Sequence, residues 1–221
     1  MRRFARHVLA GWLAAAIVAA AVSAAPGGCA AVAWTVAQFA PPQKVEALYR
    51  LPKDKKVLVF VDDYLREVRY EPVKALLADQ VNQRLTKQEL VASTIPYQKV
   101  ADLSAARTTF NELAVSQVGG ELGADIVIYV HIDAFSTKDL EDSPLWHGHF
   151  QTTVRVVDVR AGRLWPTDRP EGYAVDPLET PATDSSAANY ESQLAAELAD
   201  AMAERIVNVF CDHYVPATQA K

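Results

Sequence analysis

A charge-free apolar run near the start of the chain places the strongest constraint on what can fold. Val8–Ala25 contains eighteen residues and no charge, and it follows a short segment with three arginines. Pro26-Gly27-Gly28 then interrupts the run directly before Cys29. A basic start, an apolar middle and a small-residue exit are typical of a secretory signal. We therefore expect residues 1–28 to direct export and to take no part in the folded domain.

The segment that ends at Cys29 resembles the lipobox of bacterial lipoproteins. Gly27 and Gly28 match its small positions, whereas Pro26 stands where that family usually has an aliphatic residue. The resemblance implies that Cys29 becomes the first mature residue and carries thioether-linked diacylglycerol, so that membrane lipid holds the protein facing the periplasm. The residue after the cysteine is Ala30 and not Asp. The resemblance therefore favours the outer membrane over the inner one. Residues 29–55 then form the lipidated cysteine and a tether.

The alternative for the same segment is an uncleaved signal anchor. Eighteen helical residues span about 27 Å, just short of the roughly 30 Å hydrocarbon core of a bilayer. Residues 30–40 are also largely apolar, so a longer anchor bent at Pro26-Gly27-Gly28 satisfies the length requirement. Both alternatives place the remaining residues outside the cytoplasm, attached to a membrane.

The net charge argues against nucleic acid as a partner. The chain carries 22 basic and 27 acidic residues, a net charge of −5, and removal of residues 1–28 changes this to −8. Nucleic-acid binding requires clustered Lys and Arg to neutralise phosphates.

The two cysteines, Cys29 and Cys211, lie far apart with no CxxC pair. We expect Cys211 to be a half-buried thiol on the last helix, outside any disulfide.

Hydrophobic periodicity predicts alternating strands and helices. Val57–Val61 is a continuous apolar run typical of a buried central strand. Pro72 suits the first position of a helix with one apolar stripe. A short strand at Leu90–Thr94 and broken helical pieces over Ser104–Leu122 follow, and we expect Ser116 to cap the last piece and Gly123 to end it in the left-handed conformation.

The second half of the chain predicts a hairpin, a loop and a long helix. Ala124–Phe135 and Trp146–Val159 alternate apolar and polar residues as long strands do. Pro166–Ser186 contains four prolines and is expected to be a loop. Tyr190–Phe210 carries apolar residues at four-residue spacing over about six helical turns. Together these elements predict an α/β (α+β) domain at 56–214 with a mixed four- to five-stranded sheet, helices mainly on one face, and a disordered tail at 215–221.

Two short motifs point to an extracytoplasmic module. Gly123-Ala124-Asp125 enters one strand, and an Asp-x-x-x-Gly-x-x-Trp hairpin runs from Asp158 to Trp165. In these motifs and in the predicted order of its strands and helices, the chain resembles a known module. This module is found in the N-terminal domain of the Tol-system periplasmic protein, the curli-secretion lipoproteins and the lipoprotein activators of penicillin-binding proteins. The resemblance covers about residues 55–212 and implies a partner-binding or assembly role without catalysis.

One set of side chains could hold a metal. Pairing of His131 with His149 in a hairpin would place Asp133 opposite His147, with opposed Cβ atoms about 5 Å apart. Imidazoles and a carboxylate suit zinc or another transition metal. The alternative is a wet sheet face on which polar residues alternate, and a register change of one residue would separate the pairs. Metal binding, or a metal-dependent enzyme, is therefore the alternative hypothesis.

Other motifs indicate no reaction. Asp62-Asp63 ends the first strand, where acids either line a ligand site or solvate the strand end. GxSxG, HExxH and Walker patterns do not occur. We expect no enzyme and no cofactor.

The leading hypothesis is a membrane-tethered module that binds another envelope protein through its sheet face or its proline-rich loop. A homo-oligomeric secretion assembly is a further possibility.

Overall fold

The computed structural model describes residues 42–63, 68, 70–140 and 142–216. The predicted signal at 1–28, the predicted acylation site Cys29 and most of the predicted tail lie outside these residues. These described residues divide into two compact units, one formed by residues 42–45 with 213–216 and the other by the described residues between 46 and 212. In the first unit, β1 (Gln43–Val45) pairs antiparallel with β11 (His213–Val215). The second unit begins at Glu46, and Leu51 is buried in its core.

The second unit is built on one mixed seven-stranded sheet. The strands follow the order β3-β2-β4-β6-β7, and two short strands, β8 and β9, also pair with β6. β2 is parallel to β3 and β4, whereas the remaining pairs are antiparallel. The strands are β2 (Lys56–Asp62), β3 (Ser93–Ile95), β4 (Ile126–Ser136), β6 (His149–Asp158), β7 (Gly162–Trp165), β8 (Tyr173–Ala174) and β9 (Leu178–Glu179).

Two long helices cover one face of this sheet. They are α1 (Pro72–Lys87), which starts with its proline, and α4 (Tyr190–Asn208). Their apolar stripes pack against the same core as Ile126, Ile128 and Val130 of β4. The predicted stripes on both helices and the central position of Val57–Val61 are confirmed. Cys211 is half-buried, as expected, but it lies beyond the helix end at Asn208 and therefore is not a helix residue.

Shorter helical elements cover part of the opposite face. They are α2 (Gln98–Ala106), a 3₁₀ turn (Phe110–Glu112) and α3 (Val115–Glu121). A second core joins them to Leu58, Phe60, Val127 and Tyr129 of β2 and β4. The predicted α/β class is confirmed, and this smaller layer explains why the run at Val57–Val61 is apolar on both sides.

Two local predictions around α3 had different outcomes. Gly123 takes φ +71° directly after α3, which confirms the left-handed exit. The predicted cap at Ser116 is wrong, because α3 begins at Val115 and Ala114 is its N-cap. Gln117 replaces the hydroxyl, since its side chain accepts a hydrogen bond from the Ala114 backbone N–H at 2.8 Å.

The expected loop at 166–186 contains strands. Besides β8 and β9, β10 (Thr183–Asp184) pairs antiparallel with β5 (Leu145–Trp146). The segment therefore pairs over short stretches with β6 and β5, and the prediction of a loop without strands is wrong. Among the described residues, none of the helices has the length and hydropathy needed to cross a bilayer.

A polar sheet face as the candidate functional site

The hairpin of β4 and β6 has a register that separates the four candidate metal ligands. His131 lies opposite Thr153, and His149 lies opposite Ser136. The predicted pairing of His131 with His149 is therefore wrong by four residues. In addition, Asp133 is bypassed where the register shifts between Ile132 and Ala134. The strand expected at Trp146–Val159 is broken after Trp146, so that His147 has no place on β6.

Each histidine of the predicted set has its own acidic neighbour. His147 Nδ1 lies 2.6 Å from an Asp139 carboxylate oxygen, and His149 Nδ1 lies 3.6 Å from a Glu179 oxygen. His131 Nε2 is 3.9 Å from Asp133 Oδ1. No group of three potential metal ligands occurs within the part of the chain that the structure describes. The predicted cluster of His131, Asp133, His147 and His149 does not form.

A different group of side chains comes together at the carboxyl end of β2 and the middle of β4 and β6. These residues share the sheet face that α2 and α3 leave uncovered, and we call them the polar sheet face: Asp62, His131, Asp133, Gln151, Thr153 and Arg155. On β6 the alternation is regular, since the intervening Thr152, Val154 and Val156 are fully buried on the other face. The sequence placed these β4 and β6 residues on one face correctly.

Tyr129 forms the floor of the polar sheet face. Its hydroxyl donates a hydrogen bond to Asp62 Oδ2 at 3.1 Å, and the Arg155 guanidinium lies 4.6 Å from the centre of its ring. The His131 ring is parallel to it at 6.5 Å. Burial, followed by the negative charge of Asp62, raises the pKa of Tyr129 far above its ordinary value. The phenol is therefore a fixed donor at neutral pH.

Gly172 packs closely against Arg155 and Thr153, with a backbone conformation that residues with a side chain rarely adopt. Gly172 has φ +114°, and a Cβ there would come within 2.9 Å of Arg155 Cγ and 2.6 Å of Thr153 Cγ2. Thr153 in turn donates a hydrogen bond to Asp133 Oδ2 at 2.7 Å. Sequence reasoning missed this role of Gly172, since contact between residues this far apart in the chain is not visible in local patterns. The guanidinium remains half-exposed above an aromatic ring.

Asp62 and Asp63 have different environments. Asp62 belongs to the polar sheet face, whereas Asp63 is 4% exposed and points into the protein. Its carboxylate lies 2.7 Å from Lys74 Nζ and accepts a hydrogen bond from the Val68 backbone N–H at 3.2 Å. Lys74 also lies 3.0 Å from a Glu71 oxygen. Asp63 therefore fixes the chain after β2 and does not solvate the strand end.

The two motifs of the sequence resemblance meet at the opposite end of the sheet. Asp125 Oδ2 accepts a hydrogen bond from the Lys56 backbone N–H, and Asp158 Oδ1 accepts two from the Arg160 and Ala161 backbone N–H groups. These two backbone bonds lower the pKa of Asp158. The motifs line a cleft of about 410 Å³ together with Lys55. Both carboxylates are used to start a strand and to shape a turn.

Comparisons with known proteins find a limited likeness. We find no matching protein-family model and no match among curated proteins. A variant of the PelC dodecamer from Paraburkholderia phytofirmans is similar at 12% identity and TM-score 0.41, over 76% of this chain and 98% of that one. Lipoprotein GNA1162 from Neisseria meningitidis is similar at 16% identity and TM-score 0.42, over 69% and 98%. A minor lipoprotein from Acinetobacter baumannii is similar at 13% identity and TM-score 0.29, over 70% and 90%. These scores carry no argument about function.

Proposed function

We propose that this protein is a non-enzymatic binding module of the cell envelope, anchored by lipid at Cys29, whose polar sheet face contacts another envelope protein. One observation carries the proposal. The helical layer leaves this face uncovered, although its side chains are held in place by one another. An ordered, uncovered face is suited to binding, because little conformational entropy is lost when a partner docks.

The chemistry of the face is typical of protein interfaces. Tyr and Arg are enriched at such interfaces and often contribute most of the binding energy. Here Arg155 lies over the Tyr129 ring, and the acceptors Asp62 and Asp133 belong to the same face. The guanidinium offers donors in a fixed plane, and the two carboxylates offer acceptors. A partner with both hydrogen-bonding types would match this arrangement.

The arrangement also supports a role without catalysis. Asp62 accepts a hydrogen bond from Tyr129, and Asp133 accepts one from Thr153. The raised pKa of Tyr129 keeps its phenol protonated, so that it donates to Asp62 and does not act as a base. We therefore assign the hydrogen bonds of this face a positioning role.

The anchor is tested by mass spectrometry of the mature protein from its native envelope. We expect an N-terminus at Cys29 that carries acyl chains, because the small residues before the cysteine resemble a lipobox. The Cys29→Ser variant is expected to lose the acyl mass and to leave the membrane fraction. A mature chain that starts at Met1, carries no acyl chain and fractionates with the cytosol would contradict the proposal.

The binding face is tested by the Arg155→Ala variant in gentle cross-linking of the intact envelope. We expect the yield of the cross-linked complex to fall about tenfold or more, as truncation of a central Arg often has this effect. The matched control is Arg160→Ala, which removes an exposed arginine at the other end of the sheet. Unchanged yield in Arg155→Ala, with an unchanged melting temperature, would contradict the proposal, and mass measurement in mild detergent would identify a complex made only of copies of this chain.

A further inference from the structure

The loop between β4 and β6 exposes two leucines. The structure describes residues 137–140 and 142–148 of this loop, which we call the 137–148 loop, and in it Leu140 and Leu145 are 73% and 43% exposed. Among the described residues, the other large exposed hydrophobics are Leu48 and Tyr214. Two of these four residues therefore belong to one short loop. Two large apolar residues exposed on one short loop make this loop a candidate interaction site.

Both ends of the 137–148 loop are held by hydrogen bonds and packing. The His147 backbone N–H donates to the Thr137 carbonyl at 2.9 Å, and the His147 ring lies 2.6 Å from the Asp139 carboxylate. Gly148 is buried against α4, where a Cβ would come within 2.8 Å of Leu198 Cδ1. The base of the loop is therefore fixed on the helix.

The rest of the loop is also braced. Trp146 donates a hydrogen bond from Nε1 to the Ser185 carbonyl at 3.0 Å, and its ring lies 5.5 Å from that of Tyr190. Lys138 Nζ lies 4.2 Å from the centre of the same indole ring. β5 adds backbone pairing to β10 on the other side. The exposed leucines are thus presented by an ordered support, and docking would require little additional ordering.

The charges around the leucines select the kind of partner. Asp139, Asp142 and Asp184 are exposed beside them, while Lys138 lies over the Trp146 ring. An anionic lipid surface would repel these carboxylates, and a second copy would oppose them with an identical acidic rim. A protein surface with an apolar pocket bordered by Lys or Arg is complementary to both features.

We infer that the 137–148 loop is a docking element that inserts Leu140 and Leu145 into an apolar pocket bordered by basic residues on another envelope protein. The inference rests on the proposed function and adds a second contact surface to the polar sheet face. Burial of one leucine side chain removes a large apolar area from water and favours binding. Loss of one leucine should therefore weaken the complex by at least tenfold, which corresponds to about 1.4 kcal/mol.

The test uses the full-length chain in its native envelope, with a photoreactive diazirine residue at position 145. We expect an adduct with one protein, in which the labelled peptide is apolar and is flanked by Lys or Arg. In the same chain, Leu140→Asp should lower the adduct yield at least tenfold and Asp142→Lys several-fold. Leu48→Asp is the matched control, because it places the same charge at another exposed leucine and should leave the yield unchanged.

Four outcomes would overturn the inference. These are an adduct with a second copy, an adduct with lipid, a yield insensitive to Leu140→Asp, and no adduct at all. A diazirine at Gln151 separates the two proposals, since this residue belongs to the polar sheet face. An adduct from position 151 without one from position 145 overturns the loop inference alone. If neither position 145 nor position 151 forms an adduct, the proposed function is overturned as well.

Discussion

The Asp63→Ala variant is expected to lose about 3–5 kcal/mol of unfolding free energy, because it removes one partner of a buried ion pair. Asp63 is 4% exposed, and the Lys74 side chain is 16% exposed. The substitution leaves the ammonium group with only Glu71, which is itself largely exposed. It also removes the acceptor of the Val68 backbone N–H. Chemical denaturation monitored by circular dichroism measures the loss.

Two variants separate the ion pair from other effects of the substitution. Adding Lys74→Met to Asp63→Ala should recover much of the lost stability, since a buried pair replaced by apolar groups is often neutral. Asp54→Ala is the control, because Asp54 is exposed and lies 3.9 Å from an exposed Lys55. Surface pairs of this kind contribute about 0–1 kcal/mol. Equal effects of Asp63→Ala and Asp54→Ala would contradict the assigned role of Asp63.

The same pair gives stability a pH dependence on the alkaline side. Burial by itself lowers the pKa of Lys74, but hydrogen bonds to Asp63 and Glu71 outweigh it and the pKa is raised. A raised pKa in the folded state stabilises the protein below the unfolded value of about 10.4. This contribution is lost as the pH rises through the folded pKa. The stability difference between the native chain and Asp63→Ala should therefore be constant near neutral pH and shrink above about pH 10.5.

The Gly119→Ala variant is expected to be destabilised by about 1–3 kcal/mol, because its added methyl group would overlap packed side chains. Gly119 is buried where α3 contacts the sheet, and a Cβ there would overlap the Val127 side chain and come within 2.8 Å of Val159 Cγ2. Both neighbours are β-branched and have little rotamer freedom. The loss is measured as a lower melting temperature.

The next residue provides a matched control for Gly119. A Cβ at Gly120 would meet only Val159 Cγ1, at an ordinary contact distance of 3.5 Å. Since alanine favours a helix over glycine by about 1 kcal/mol, Gly120→Ala should leave stability unchanged or raise it. A chain that tolerates both substitutions equally would show that α3 does not pack this tightly against β4.

The elements that were predicted correctly are those whose residue pattern lies within a single strand or a single helix. Val57–Val61 is apolar at every position, as a strand covered on both faces requires. The stripe on α4 repeats at helical spacing, and Gly123 ends α3 with the backbone conformation that glycine adopts most readily. Tyr129, His131 and Arg155 were also placed on the correct sheet face, since strand alternation follows from chemistry within the strand itself.

The pairing of β4 with β6 could not be predicted in the same way. Several registers of the hairpin keep the Ile and Val residues of β4 on the core face, and they differ in where the connecting loop closes. The structure closes it at Thr137 and His147, and Asp133 is bypassed by the register shift. The metal hypothesis required His131 to pair with His149. The observed register of β4 with β6, which is set by contacts between distant residues, separates them.

The amino-acid sequence alone predicted the export signal with its candidate acylation site, and it determined the acidic charge, the order of the main strands and helices, and the sheet face taken by most strand side chains. These properties depend on neighbours in the chain. Only the tertiary structure decided which side chains meet across strands, where Gly172 holds Arg155 and Gly148 holds the 137–148 loop. The physical reason is that a contact between distant residues depends on how loops close and helices pack, and no local pattern encodes that distance.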